Sequence, residues 1–155
     1  MQKPLNEIQK PLKEKPAYIY KPYKAEAIDK KIKQNIATNI FRKNNISDFD
    51  LLDKSRSIFA DLNDRLFLSI RVAGKNKSIK KGRIWSIKQS EWLDLQTKNS
   101  LFIFAIREEK KYVQLSIEEI ENILIDSSFS KGNQYIIKGM VSKNYIEFDY
   151  DGEII

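Results

Sequence analysis

Between residues 57 and 74, SIFADLNDRLFLSIRVAG, the apolar positions fall into two runs separated by a polar turn. Residues 57–60 read as a strand, 61–64 as the turn and 65–72 as a second strand, which is a β-hairpin pattern. Leu66, Phe67, Leu68, Ile70 and Val72 leave little polar alternation in the second strand, so it is expected to be covered on both faces. Upstream, Ala27, Ile28, Ile32, Ile36, Ile40 and Phe41 recur at three- and four-residue spacing. That stripe predicts a helix over 24–44, stopped at Asn44–Asn45. Residues 46–53 alternate weakly and predict a strand with Phe49 and Leu51 on one face.

Downstream of the hairpin, residues 83–88 read as a short strand or the approach to a helix. Residues 89–97 read as a short helix with Ser86 or Ser90 as its candidate cap. Trp85, Trp92, Leu93 and Leu95 supply apolar surface there, and the expected place of Trp92 is the core. LFIFAIR, 101–107, predicts another buried strand, followed by a charged turn at 108–111 and a strand at 112–115. Ser116 and Glu119 form an S-x-x-E capping box at the head of a helix running to 125, with Ile117, Ile120, Ile123 and Leu124 as its stripe. Two strand-like runs follow, 135–138 and 145–148, and no internal repeat is evident. The order of elements predicts one mixed α/β domain over 24–155 with a central sheet. Residues 1–23 hold all four prolines among lysines and read as an extended arm. Its Tyr18, Tyr20 and Tyr23 would either stack on bases or pack on the domain.

Composition narrows the chemistry. With no cysteine and no histidine there is no disulfide, thiol nucleophile, imidazole base or classical zinc site. Carboxylates, lysines and hydroxyls remain. No apolar run approaches a membrane span, and no secretory pattern opens the chain, so an intracellular, cytoplasmic protein with no membrane partner is expected. The net charge of +7 favours an anionic partner, nucleic acid being the commonest. The charge is unevenly placed. Residues 1–43 carry 11 basic and 4 acidic groups, residues 71–88 carry 7 basic and none acidic, and residues 89–155 carry 7 basic and 12 acidic. The run 71–88 is therefore the candidate phosphate-contacting stretch, through Arg71, Lys75, Lys77, Lys80, Lys81, Arg83 and Lys88, with Trp85 either stacking on bases or packing in the core. Its loop GKNKSIKKG lacks the spacing of a phosphate-binding loop. Asp48, Asp50 and Asp53 cluster, either as metal ligands awaiting another carboxylate or as a polar turn and strand edge.

The helix with an early Glu26, the hairpin RSIFADLNDRLFLSIRVAG, the basic loop KNKSIKK, the helix KQSEWLDL and the strand LFIFAIR together resemble the PD-(D/E)XK nuclease superfamily. Within it, the likeness is to the archaeal Holliday junction resolvases, over about residues 24–115. The resemblance implies a restriction-endonuclease-like fold, a mixed central sheet flanked by helices, and a homodimer. It also implies a hairpin bearing a metal-binding aspartate and an E-x-K triplet. Here those positions are Ser57, Arg71 and Ala73. Serine, arginine and alanine cannot hold a hard cation, which wants carboxylate oxygens. Arginine puts a fixed positive charge where the metal would be and can instead hold a phosphate.

Three functions are open on this reading. The first is a catalytically degenerate nuclease-fold protein that binds nucleic acid, branched DNA being the family's substrate. The second is a Mg²⁺- or Mn²⁺-dependent endonuclease whose carboxylates have moved to Glu26, Asp48, Asp50, Asp61 or Glu91, with Lys75 or Lys77 as the lysine. The third is a non-catalytic adaptor that binds protein partners through the proline-punctuated arm or the acidic C-terminal third.

Overall fold

The computed structural model describes residues 18–23, 28–52, 57–75, 82–125 and 127–148. In chain order they form β1 (Tyr18–Ile19), β2 (Lys21–Pro22), α1 (Asp29–Lys43), β3 (Phe49–Leu51), β4 (Ile58–Asp61), β5 (Phe67–Ala73) and β6 (Gly82–Lys88). Then come α2 (Gln89–Leu95), β7 (Ser100–Ile106), β8 (Lys111–Leu115), α3 (Ile117–Ile125), β9 (Ser128–Phe129), β10 (Gln134–Val141) and β11 (Tyr145–Phe148).

The chain is mixed α/β, with three helices and two sheets among the described residues. The larger sheet has the order β2-β8-β7-β5-β4-β3. Its strands β3, β4 and β5 form an antiparallel meander, and β7 lies parallel to β5 in a seven-residue register from Phe67 opposite Ser100 to Ala73 opposite Ile106. The second sheet, β1-β11-β10-β6 with β9 also on β10, is antiparallel throughout. The second sheet stands beside the central sheet that the element order predicts. After β5 the chain leaves the larger sheet, and β6 pairs with β10 instead. Its inward residues Trp85 and Ile87 are buried against the larger sheet's inner face, which one sheet plus helices would not have covered.

Strand alternation divides the larger sheet's side chains between two cores. On one face Phe59, Leu68, Ile70, Ile103, Ala105 and Tyr112 pack against Ile32, Ile36, Ala37, Ile40 and Phe41 of α1. On the other, Phe67, Phe102, Phe104, Ile106, Val113 and Leu115 meet the second sheet together with Trp92 and Leu95 of α2 and Ile120 and Ile123 of α3. Helix α1 is rich in Ile, Asn and Thr, which cost a few tenths of a kcal/mol each relative to alanine. Burying its large apolar side chains contributes about 1.5–3 kcal/mol apiece and outweighs that.

Local chemistry sets the boundaries. Asn45 adopts φ 59° after α1, the Ile46 amide reaches the Phe41 carbonyl at 2.9 Å, and the Asn45 amide reaches Arg42 at 3.0 Å. These are the bonds of a Schellman stop, and buried Ile46 and Phe41 pack in the same core. The capping box of α3 forms as the sequence predicts: the Ser116 amide donates to Glu119 Oε1 at 2.8 Å, and the Glu119 amide to Ser116 Oγ at 3.2 Å. At α2 neither candidate serine acts. Lys88 is the cap residue and offers no side-chain bond. Residues 18–23, expected in the arm, belong to the fold: Tyr18 and Tyr23 are buried, and the segment adds one short strand to each sheet.

Candidate functional site

Strand β5 carries Ser69, Arg71 and Ala73 on one face, because alternate residues share a side. Strand β4 pairs Ile58 with Ser69, which brings Ser57, just before β4, opposite Ile70 and next to Arg71, with the Ile70 amide donating to the Ser57 carbonyl at 2.8 Å. The parallel crossover β5–β6–α2–β7 then lays α2 over that face and presents Glu91 to it. Arg71 Nη1 donates to Ser57 Oγ at 2.9 Å, and Arg71 Nη2 forms an ion pair with Glu91 Oε1. Ser69 Oγ donates to the other Glu91 oxygen. From α1, Lys33 Nζ reaches Ser57 Oγ at 3.1 Å. The Arg71 side chain is 22% exposed and that of Glu91 7%. Arg71 Nε is buried without a hydrogen-bond partner. Among the described residues, five polar side chains, from α1, β5, α2 and the residue before β4, are thus linked here.

Two positions expected from the sequence, Ser57 and Arg71, come together there. Ala73 lies buried on the same face, two residues on. Among the described residues the cluster has one carboxylate, which already faces a guanidinium and a hydroxyl, and its other donors are cationic or neutral, a set that does not suit a hard cation. Among the described residues no group of three or more acids could hold a metal ion.

The candidates for a relocated site are dispersed. Glu26 lies outside the described residues, as does Asp53. Asp61 closes β4 at the end opposite Ser57, about 13 Å along the strand at strand rise. It is buried and committed. Its carboxylate accepts the Arg65 and Leu66 amides and pairs with Arg65 Nε at 2.9 Å, which shapes the hairpin turn. Burial pushes this carboxyl up, but the Arg65 side chain and the two amides outweigh it and hold the group below its ordinary value. Asp50 sits exposed on β3, and Asp48 is exposed just before it. Neither joins Glu91.

The basic run is split. Lys75 and Lys88 are exposed, and Lys77, Lys80 and Lys81 lie outside the described residues. Arg83, expected among the phosphate contacts, is buried: its side chain is only 6% exposed, donates to the Gly82 carbonyl at 2.9 Å and lies 3.4 Å from Glu108. It points inward because it alternates with Trp85 and Ile87 on the core face of β6. Of the two places open to Trp85, the structure shows the core. It is buried, and its Nε1 donates to the Ala105 carbonyl at 3.1 Å. Trp92 is in the core, as expected. Glu108 also accepts the Lys75 amide at 3.0 Å. Burial raises its carboxyl, but the Lys75 amide and the Arg83 and Arg107 charges hold it below the ordinary carboxylate range.

Two members of the cluster escaped the sequence reading. Ser69 had a signal, a lone hydroxyl two residues before Arg71 in an apolar strand. Lys33 had none beyond its place beside the helix stripe, because the pairing of α1 with the start of β4 is a tertiary fact. No protein-family model matches the chain, and no curated protein or solved structure matches it either.

Proposed function

We propose that this chain is a catalytically degenerate nuclease-fold protein that binds nucleic acid without cutting it. The observation that carries the reading is the meeting of Ser57, Arg71 and Glu91. The two positions where the PD-(D/E)XK superfamily would hold its aspartate and glutamate, Ser57 just before β4 and Arg71 on β5, are joined by an arginine–hydroxyl hydrogen bond of 2.9 Å. The order α1-β3-β4-β5-α2-β7, an antiparallel meander followed by a parallel strand, supports the restriction-endonuclease-like core, with β6 as an insertion that pairs elsewhere. The surplus of 28 basic over 21 acidic residues supports a polyanionic partner.

The site's electrostatics favour binding without cleavage. Metal-assisted hydrolysis needs carboxylate oxygens free to hold a divalent cation and an activated water. Here the arginine stands in the cation's place, and Glu91 is occupied in neutralising it.

The test is a titration against a labelled four-way junction and a matched linear duplex, with Mg²⁺ and then Mn²⁺, resolved on native and denaturing gels. The expected result is a shifted, intact junction whose affinity falls steeply with added salt, since each neutralised phosphate releases counterion. Cleaved strands in either metal overturn the degenerate reading. Absence of any shift at physiological salt overturns nucleic-acid binding.

A further inference from the structure

We infer that the outer face of α1, continued by the groove at its C-terminal end, is a docking surface for the sugar-phosphate backbone of nucleic acid. The inference rests on the nucleic-acid reading above and assigns it to a surface separate from the basic run 71–88.

From Lys30 to Ser47 the chain carries five cations and no carboxylate. With five buried residues turned to the sheet, α1 has its polar residues on the other side. At 3.6 residues per turn, Lys31, Gln34, Thr38 and Arg42 fall within an arc about 80° wide. Lys30, Lys31, Gln34, Arg42 and Lys43 are exposed. Lys30, Lys31, Arg42 and Lys43 take part in none of the ion pairs among the described residues. The helix's single acid, Asp29, has both oxygens on Arg107, at 2.8 and 2.9 Å. At the far end, Thr38, Arg42, Asn45, Ile46, Ser47 and Phe49 line a groove of about 400 Å³. It offers the Arg42 guanidinium, the Ser47 hydroxyl and the Asn45 amide as donors to phosphate and sugar oxygens, while the Thr38 hydroxyl donates to the Gln34 carbonyl at 2.8 Å.

Fold stability does not account for this charge. Arg42 and Lys43 offset the negative end of the helix dipole, but Lys30 and Lys31 lie at its positive end, where acids are favoured. A uniformly lysine-rich composition does not account for it either. Helix α3 of the same chain carries Glu118, Glu119 and Glu121 and no cation. The 15 residues of α1 span about 22 Å, enough to follow roughly six base pairs of one strand.

The experiment compares three double variants by junction or duplex binding across a salt series. They are Lys31→Gln with Arg42→Gln on α1, Lys75→Gln with Lys88→Gln in the basic run, and Lys131→Gln with Lys143→Gln as a charge-matched control. Glutamine forms helix about as well as lysine or arginine, and circular dichroism checks each fold. The α1 pair is expected to weaken binding about tenfold and to reduce the slope of log K against log salt by about 2, while the control leaves that slope unchanged. Wild-type binding with an unaffected α1 pair overturns this inference and leaves the proposed function standing. Equal losses in the α1 and control pairs also overturn it, because net charge alone then explains the effect. A wild-type chain that binds no nucleic acid overturns both.

Discussion

Glu91 and Asp61 are both acids near the hairpin, and their surroundings give them different work. Glu91 neutralises Arg71 and accepts from Ser69, so Glu91→Ala leaves a mostly buried guanidinium short of its counter-charge. A loss of about 1–3 kcal/mol is expected in urea unfolding, below the value for a fully buried pair because Arg71 retains some solvent. Glu91→Gln, which keeps a hydrogen-bond acceptor, should lose less. Asp61 is a pH-dependent turn anchor. Its folded-state pKa lies below the ordinary 3.8, so its contribution is complete above that value and is lost as pH falls through the lower, folded value. Urea midpoints between pH 7 and pH 2 should show that loss in the wild type. Asp61→Asn should start about 1–3 kcal/mol lower at pH 7 and show a smaller fall in acid. The hairpin, and the positions Ser57 and Arg71 on it, were legible from apolar alternation. That Asp61 binds its own turn, and that Glu91 lies over Arg71 from 20 residues away, depended on the turn geometry and on the crossover placing α2.

Elements with strong local signals appear where the sequence places them, and the exceptions share a cause. The stripe of α1, the capping box of α3 and the runs of β5 and β7 are decided by neighbours within a few residues. Strand β6 reads ambiguously because its partner β10 lies some 50 residues further on, and the burial of its Arg83 was not legible for the same reason. Ser116→Ala should remove one capping bond and cost α3 about 1 kcal/mol by urea denaturation. Gly139 of β10 lies against the core of the second sheet. A Cβ there would come within 2.7 Å of Ile146 Cδ1 and 3.0 Å of Trp85 Cζ3. Gly139→Ala should therefore destabilise by about 1–3 kcal/mol, with a red-shifted tryptophan emission if Trp85 is displaced towards water.

At the scale of the whole molecule, three tyrosines tie the early part of the chain and β8 into the interior. Burial pushes the Tyr20 and Tyr23 phenols up to about 12 and raises that of Tyr112 as well. Tyr23 donates to the Ile106 carbonyl at 2.9 Å. A raised folded-state pKa keeps its stabilisation below pH 10 and loses it as pH rises through the folded value. The protein should therefore weaken between pH 10 and 12, followed by phenolate absorbance against circular dichroism, and Tyr23→Phe should weaken less over that window.

The pairing of β1 with β11 and of β2 with β8 also has a consequence for synthesis on the ribosome. Lys21 meets Tyr112, so β2 finds its partner by mid-chain, but Tyr18 meets Ile146, so the early strand β1 joins a sheet whose other members include the late β10 and β11. The second sheet cannot close while residues 134–148 are still inside the exit tunnel, and β6 lacks its partner until then. Nascent chains arrested short of β10 should be cut readily by added protease along β6. Chains arrested far enough beyond β11 to clear the tunnel should resist it.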